Sequence, residues 1–192
     1  SGRSGAQALF GVAASQAKLQ ALIGAADARR VWDTSVEALD LMRELVARHG
    51  IDCDLRHGQM HVAIKPRHMR ELGEWHREMH EDLGYRSVSL LDREAVRAQV
   101  QSGRYIGGLL DTNSMHIQPL KYVRGLAAAT QRAGATVHEG SRVLRHSRRD
   151  GSPVLHTARG ELRCRQVVFA GNAWHGNTAP ALARRIMPVG TY

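Results

Sequence analysis

The sequence predicts an α/β fold. Three observations carry that prediction. Stretches of helical period alternate with short strand-like runs between residues 25 and 134. A proline-initiated helix, "PLKYVRGLAAATQRAG" (119–134), runs straight into the strand-like "ATVHEG", which is half of a crossover unit. Residues 141–174 then read as a β-meander, ending on the apolar run "VVFAGNAW".

The elements follow in order. The opening "SGRSGAQALFG" is a Gly- and Ser-rich loop leading into apolar sequence, and residues 6–23 are predicted helical. Residues 25–49 are a second helix: Val31, Val36, Leu39, Met42 and Val46 recur at near-helical spacing, and Gly50 follows where a left-handed cap belongs. "GQMHVAIK" (58–65) alternates Met60, Val62 and Ile64 against polar neighbours, the period of a strand. Pro66 opens a helix with Met69, Leu72, Trp75, Met79 and Leu83 on one stripe, closed by Gly84. Asp92 is a suitable N-cap for a short helix over 93–100, and "YIGGLLD" (105–111) is a strand. Pro119 begins the next helix, a strand follows at 135–138, and Asp150-Gly151 turns the meander. Its last member, Val167–Ala170, is apolar enough to be a buried strand.

Bulk properties narrow the function. The chain has 192 residues, 43% hydrophobic and 23% charged, the balance of an ordinary soluble domain. The apolar runs are too short for a membrane span, and no charged-then-apolar leader is present, so a cytoplasmic setting is expected. Cys53 and Cys164 belong to no CxxC pair, which suits two free thiols in a reducing compartment. A formal net charge of +9 raises the question of nucleic acid, but the basic residues are spread along the chain. Only "RHSRR" (145–149) clusters, and at 5% aromatic content no base-stacking platform is expected. Nucleic acid is therefore not an expected partner.

Several features have plain structural readings. His76 and His80 stand four apart without a third ligand, so no metal is expected. His57, His61 and His116 occur singly, and the Met and Trp stripe around Trp75 reads as core. Ser4 in "GRSGA" lacks the second flanking glycine of a nucleophile elbow. Gly107-Gly108 inside a strand marks a bulge, a kink or a close approach.

"SGRSGAQ" resembles the "SGRNGGQ" segment of the D-amino-acid-oxidase-like FAD oxidoreductases, nearest to their γ-glutamylputrescine oxidase and glycine oxidase branch. The resemblance continues through "LLDTNSMHIQPLKYVRGLAAATQRAGATVHEGSRVLR" and reaches "VVFAGNAW", similar to the family's "VVLATGAW"-like strand and turn. It implies an incomplete FAD-binding Rossmann-like domain joined to a mixed-sheet substrate lobe and a β-meander. The implied division is 1–50 for the FAD loop and following helices, 51–117 for the substrate-side lobe, and 118–192 for part of the FAD-binding domain.

The resemblance also implies roles. Ser1, Gly2, Arg3, Ser4, Gly5, Ala6 and Gln7 would lie along the flavin and its pyrophosphate. Val143 would meet the adenine end through its backbone, and Ala170, Gly171 and Trp174 would line the turn near the adenosine diphosphate. Ser4 stands where the family has Asn, Ala6 where it has a second Gly, and Asn172 where Gly is common. His116 and Pro119 match a His-x-x-Pro pattern that reads as a turn and helix start. The implied activity is oxidation of a small amine or amino acid by hydride transfer to FAD. No catalytic residue is assigned within the chain.

The dinucleotide fingerprint G-x-G-x-x-G is not found in the sequence. An internal fragment that binds FAD weakly or not at all, and is inactive alone, is therefore expected. Two alternatives stand beside this reading: a non-enzymatic basic α/β binding module, and a related flavoenzyme acting on a 2-hydroxy acid.

Overall fold

The computed structural model describes residues 4–187. The chain divides into two compact units, Ser1–Ala135 and Thr136–Tyr192.

In the first unit the expected helix over 6–23 is not continuous. Ala6 and Gly11 have φ of 74° and 73°, which no α-helix accommodates. Gln7–Ala8 instead form a short strand, β1, and helix α1 covers only Gln16–Ile23. Ser15 caps α1, its Oγ accepting from the Lys18 amide. Helix α2, Ala25–His49, has the predicted bounds and ends on Gly50 at φ 60°. It buries Ala28, Trp32 and Leu39.

Strand β2 is Arg56–Ala63. Helix α3, Pro66–Arg77, then widens into a π-helical turn over Glu78–Asp82, where the sequence reads as one helix to residue 83. Strand β3, Val88–Asp92, is absent from the sequence expectation, because Leu90-Leu91 breaks the alternation that marks a strand. Helix α4, Arg93–Gln99, is capped as expected: Asp92 Oδ1 accepts the Ala95 amide at 2.8 Å. Strand β4, Gly107–His116, extends five residues past the predicted Asp111, and helix α5 spans Pro119–Arg132.

β4 is the centre of an antiparallel sheet. β2 runs along one edge, while β3 and β1 share the other. Residues paired across a sheet share a face, so Asp111, Leu109 and Gly107 lie on the side of Gln59, His61 and Ala63. That side carries the core: Trp32, Met79, Leu83, Tyr85, Val88 and Leu109, packed on by Phe10, Val36, Leu72 and Trp75. Each fully buried large apolar side chain contributes about 1.5–3 kcal/mol.

The Gly107-Gly108 pair reflects close approach of both neighbouring strands and helices. A Cβ on Gly107 would stand 2.6 Å from Met69 Sδ of α3 and 2.8 Å from the Leu91 carbonyl oxygen of β3. One on Gly108 would stand 2.8 Å from the His61 carbonyl oxygen of β2 and 3.3 Å from Val96 Cγ2 of α4. The irregularity lies elsewhere. Between the pairs Gln59↔Asp111 and His57↔Met115, β4 advances four residues while β2 advances two.

In the second unit β5, Val143–Arg149, β6, Ser152–Thr157, and β7, Gly160–Arg163, form the predicted meander. Asp150 and Gly151 both have positive φ, the two-residue hairpin geometry that their identities forecast. A single turn of 3-10 helix at Gly176–Thr178 and helix α6, Pro180–Ala183, follow.

Two expected strands are not formed. Residues 135–138 and 167–170 have no ladder partner among the described residues, and Val168 is 87% exposed rather than buried. Apolar β-prone sequence becomes a strand only where a neighbour satisfies its amides and carbonyls. Within the sheet of the first unit all three pairings are antiparallel, where the sequence reading has a mixed sheet. No helix among the described residues is long and apolar enough to cross a membrane.

Candidate functional site

The sequence-derived site residues fall into two groups, one in each unit. Ser1, Gly2 and Arg3 lie outside the described residues. Ser4 and Gly5 are exposed, and Ala6 sits at φ 74°, which glycine adopts freely and alanine at a cost of roughly 1–2 kcal/mol. The loop is held down directly after this point. The Ala6 carbonyl accepts from the Ile117 amide at 3.0 Å, and Gln7 and Ala8 pair with His116 and Met115 of β4. Ser4, Ala6 and Gln7 line a cleft of ≈ 270 Å³ whose other wall includes Met42, Pro119 and Tyr122. His116 is thus the last residue of β4, and Pro119 the first of α5. Gln118 supplies the cap, its Oε1 accepting from the Lys121 amide at 2.6 Å. The sequence reading missed this cap because Gln is an uncommon N-cap.

Val143, Ala170, Gly171 and Trp174 all line one cavity of ≈ 520 Å³ in the second unit, together with Arg142 and Phe169. The cavity wall is built from β5 and from the extended segment 167–171. The Val143 carbonyl is occupied, accepting from Thr178 Oγ1 at 3.1 Å. His175 is buried and stands edge-on to Phe169 with ring centroids 6.0 Å apart. A Cβ on Gly171 would lie 3.1 Å from His175 Nδ1, so any side chain there displaces the imidazole. Asn172 takes φ 50°, the left-handed geometry Asn tolerates.

The donor set suits an adenine nucleotide. The amides of Val167, Val168, Phe169 and Ala170 donate to no backbone carbonyl among the described residues. Arg142 brings a permanent cation, and Trp174, 89% exposed, offers a bare aromatic face. These groups could hold the adenosine diphosphate half of FAD.

The sheet of the first unit carries a polar cluster that no sequence pattern announced. Asp111 is 2% exposed. Its Oδ1 accepts from Tyr85 Oη at 2.8 Å and from the Asn113 amide at 3.0 Å, and its Oδ2 accepts from the Ser114 amide at 3.0 Å. Those amides are the ones the extra β4 residues release from the ladder, so the carboxylate closes the bulge. Arg43 of α2 donates to the Asn113 carbonyl at 2.9 Å and to its Oδ1 at 2.7 Å. Burial, and then the hydrogen bond to Asp111, push the Tyr85 phenol up. His61 stacks edge-on against Trp75 at 4.9 Å, and burial lowers its pKa against the opposing pull of the Asp111 carboxylate. The alternation of β2 and β4 was legible, but the register that brings Asp111 beneath Tyr85 was not.

The remaining histidines play local parts. The His76 and His80 rings lie 4.1 Å apart, and His80 Nε2 faces the Val88 carbonyl at 3.1 Å. Burial and then the neighbouring His80 lower the His76 pKa. Among the described residues no group of three or more His, Cys, Asp or Glu side chains is placed to hold a metal ion. Cys53 and Cys164 are free thiols.

Comparison with known proteins shows the family. The family DAO, FAD dependent oxidoreductase, matches residues 1–192. The chain is 36% identical over 194 residues to gamma-glutamylputrescine oxidoreductase of Escherichia coli (strain K12), covering 100% of this chain and 45% of that protein. It is 31% identical over 201 residues to a probable oxidoreductase, OrdL, of Haemophilus influenzae, covering 100% and 46%. The chain thus spans about half the length of the curated relatives it matches. Among solved structures, glycine oxidase from Geobacillus kaustophilus superposes with a TM-score of 0.68 at 20% identity, over 95% of this chain and 48% of that one. L-amino acid deaminase from Proteus myxofaciens gives 0.72 at 16% identity, over 90% and 37%. Identities this low show a shared fold alone.

Proposed function

Because the chain belongs to the DAO family of FAD-dependent oxidoreductases, we propose that the protein takes part in oxidising a small amine or amino acid with FAD. The observation that carries this is the gathering of Val143, Ala170, Gly171 and Trp174 around one nucleotide-sized cavity. In this reading Arg142 pairs with the pyrophosphate, the open amides of 167–170 hydrogen-bond the nucleotide, and Gly171 lets the backbone approach closely. Ser4 to Gln7 would lie toward the flavin end, as the resemblance implies, with Ala6 setting the direction of the loop. The sheet of β2, β3 and β4, within the lobe 51–117, forms the substrate side.

FAD, when bound, supplies the hydride acceptor: the substrate's α C–H bond breaks, its electron pair leaves with the hydrogen, and the nitrogen lone pair forms the imine. Water would then add to the imine carbon, the C–N bond would break, and the nitrogen would leave as ammonia or an amine to give the carbonyl product. The chain's part is binding, orientation and exclusion of water. A cytoplasmic location, with a small-molecule partner and no nucleic acid, completes the proposal.

The test is a visible absorption spectrum of the full-length protein before and after anaerobic addition of small amines. Oxidised-flavin bands that bleach with an amine are expected. Bands that bleach only with a 2-hydroxy acid would move the donor class. A folded, colourless protein would overturn the flavin reading in favour of a non-enzymatic module.

A further inference from the structure

A third cavity, of ≈ 230 Å³, opens in the first unit between the loop 10–16, helix α2 and the end of helix α3. Its walls include Phe10, Leu19, Trp32 and Trp75. These rings are close-set: Phe10 lies 5.2 Å from Trp32 and 5.8 Å from Trp75, centroid to centroid. Glu78, the first residue of the π-helical turn, is the one charged residue among the described residues that line the space. It makes no ion pair with any described residue. Gln16, also in the wall, has a buried side-chain Nε2 with no hydrogen-bond partner.

The cavity is built in advance. The Gly11 amide donates to Ser35 Oγ at 2.7 Å, and Ser35 Oγ donates to the Trp32 carbonyl at 2.6 Å, tying the loop to α2. An apolar guest would account for the rings but not for the carboxylate. A carboxylate or phosphate guest would meet Glu78 and the negative ring faces. A cation with an alkyl body suits both, because aromatic faces attract positive charge within about 6 Å and a carboxylate neutralises it. The buried Gln16 amide meets it once turned over, with its oxygen in place of the nitrogen. The lone acid in this cavity is notable in a chain of net charge +9.

We propose that this cavity binds an organic ammonium ion, with Glu78 as counter-ion and Phe10, Trp32 and Trp75 as the walls. The site lies within the first unit and needs neither flavin nor turnover, so it goes beyond the proposed oxidation and stands or falls separately from it.

The experiment is a fluorescence titration of the protein carrying Trp174→Phe, so that emission comes from Trp32 and Trp75. Butylammonium and tetramethylammonium chloride are compared with 1-butanol and sodium chloride at matched ionic strength. A saturable change with both ammonium salts, absent with butanol and sodium chloride, is expected. Glu78→Gln weakens it at least tenfold, Trp75→Leu weakens it several-fold, and Glu81→Gln leaves it unchanged. Leu19→Lys, which places its own ammonium in the same space, abolishes it. An equal response to butanol, a linear response without saturation, or an unaltered affinity in folded Glu78→Gln would overturn the proposal. The comparison of butylammonium with butanol decides even where a variant fails to fold. Flavin bands are read on the protein with Trp174 intact: their absence there, alongside ammonium binding, would leave this inference standing while the oxidation reading falls.

Discussion

The two units contrast in how they use strands. In the first, β4 is flanked on both edges and covered on both faces, with Leu109 2% exposed and Met79 wholly buried. In the second, three strands of similar sequence character bury little beyond Val154, and Leu144, Leu162, Val168 and Trp174 stand open. Composition does not separate them; neighbours do. A β-prone run in the first unit finds a ladder and a helix to cover it, whereas 167–170 in the second finds neither among the described residues.

That contrast sets the scale of substitution effects. Leu109→Ala should cost about 2–5 kcal/mol in urea melts, while Leu162→Ala at 54% exposure should fall within about 0.5 kcal/mol. Equal costs would break the comparison, by showing that the face of the meander is covered in solution. Asp111→Ala should cost about 3 kcal/mol, since it strips the Tyr85 hydroxyl, the buried Ser114 amide and the half-buried Asn113 amide of their acceptor. Hydrogen exchange should then speed up around 111–115 before it does so in α2.

Ala6→Gly should raise stability by about 1 kcal/mol, because φ 74° strains alanine, with the Tm reporting the gain. The smallest effect is on pH. His61 and His76 have folded-state pKa values below the ordinary 6.5, so the unfolded chain binds more protons as pH falls through that region. Stability is then fully present above 6.5 and declines below it, and a Tm series from pH 8 to 5 reads the slope. Replacing His61 with Gln should flatten it. A Tm that rises as pH falls would contradict the burial of both rings.

Local signals were legible and distant ones were not. Pro66, Asp92, Pro119 and Asp150-Gly151 announce their helix starts and hairpin because caps and turns are decided within a few residues. The continuous helix over 6–23 failed because its alanines mask a backbone that turns left-handed at Ala6 and Gly11. The strands at 135–138 and 167–170 failed for the opposite reason: their local sequence is sound, but a strand also requires a partner. At the site, the grouping of Val143 with 170–174 followed from resemblance. The Asp111 cluster and the cavity at Glu78 depend on register and helix placement, which periodicity does not carry.

The bulge closed by Asp111 also bears on how the sheet chooses its alignment. A slip of one residue would expose the core face, so alternation alone forbids it. A slip of two keeps every side chain on its proper face and is invisible to the apolar pattern. It would also separate the Asp111 carboxylate from the phenol of Tyr85, leaving a buried charge short of a donor. The aspartate therefore acts as a fidelity element, rejecting the one misalignment that hydrophobicity would accept.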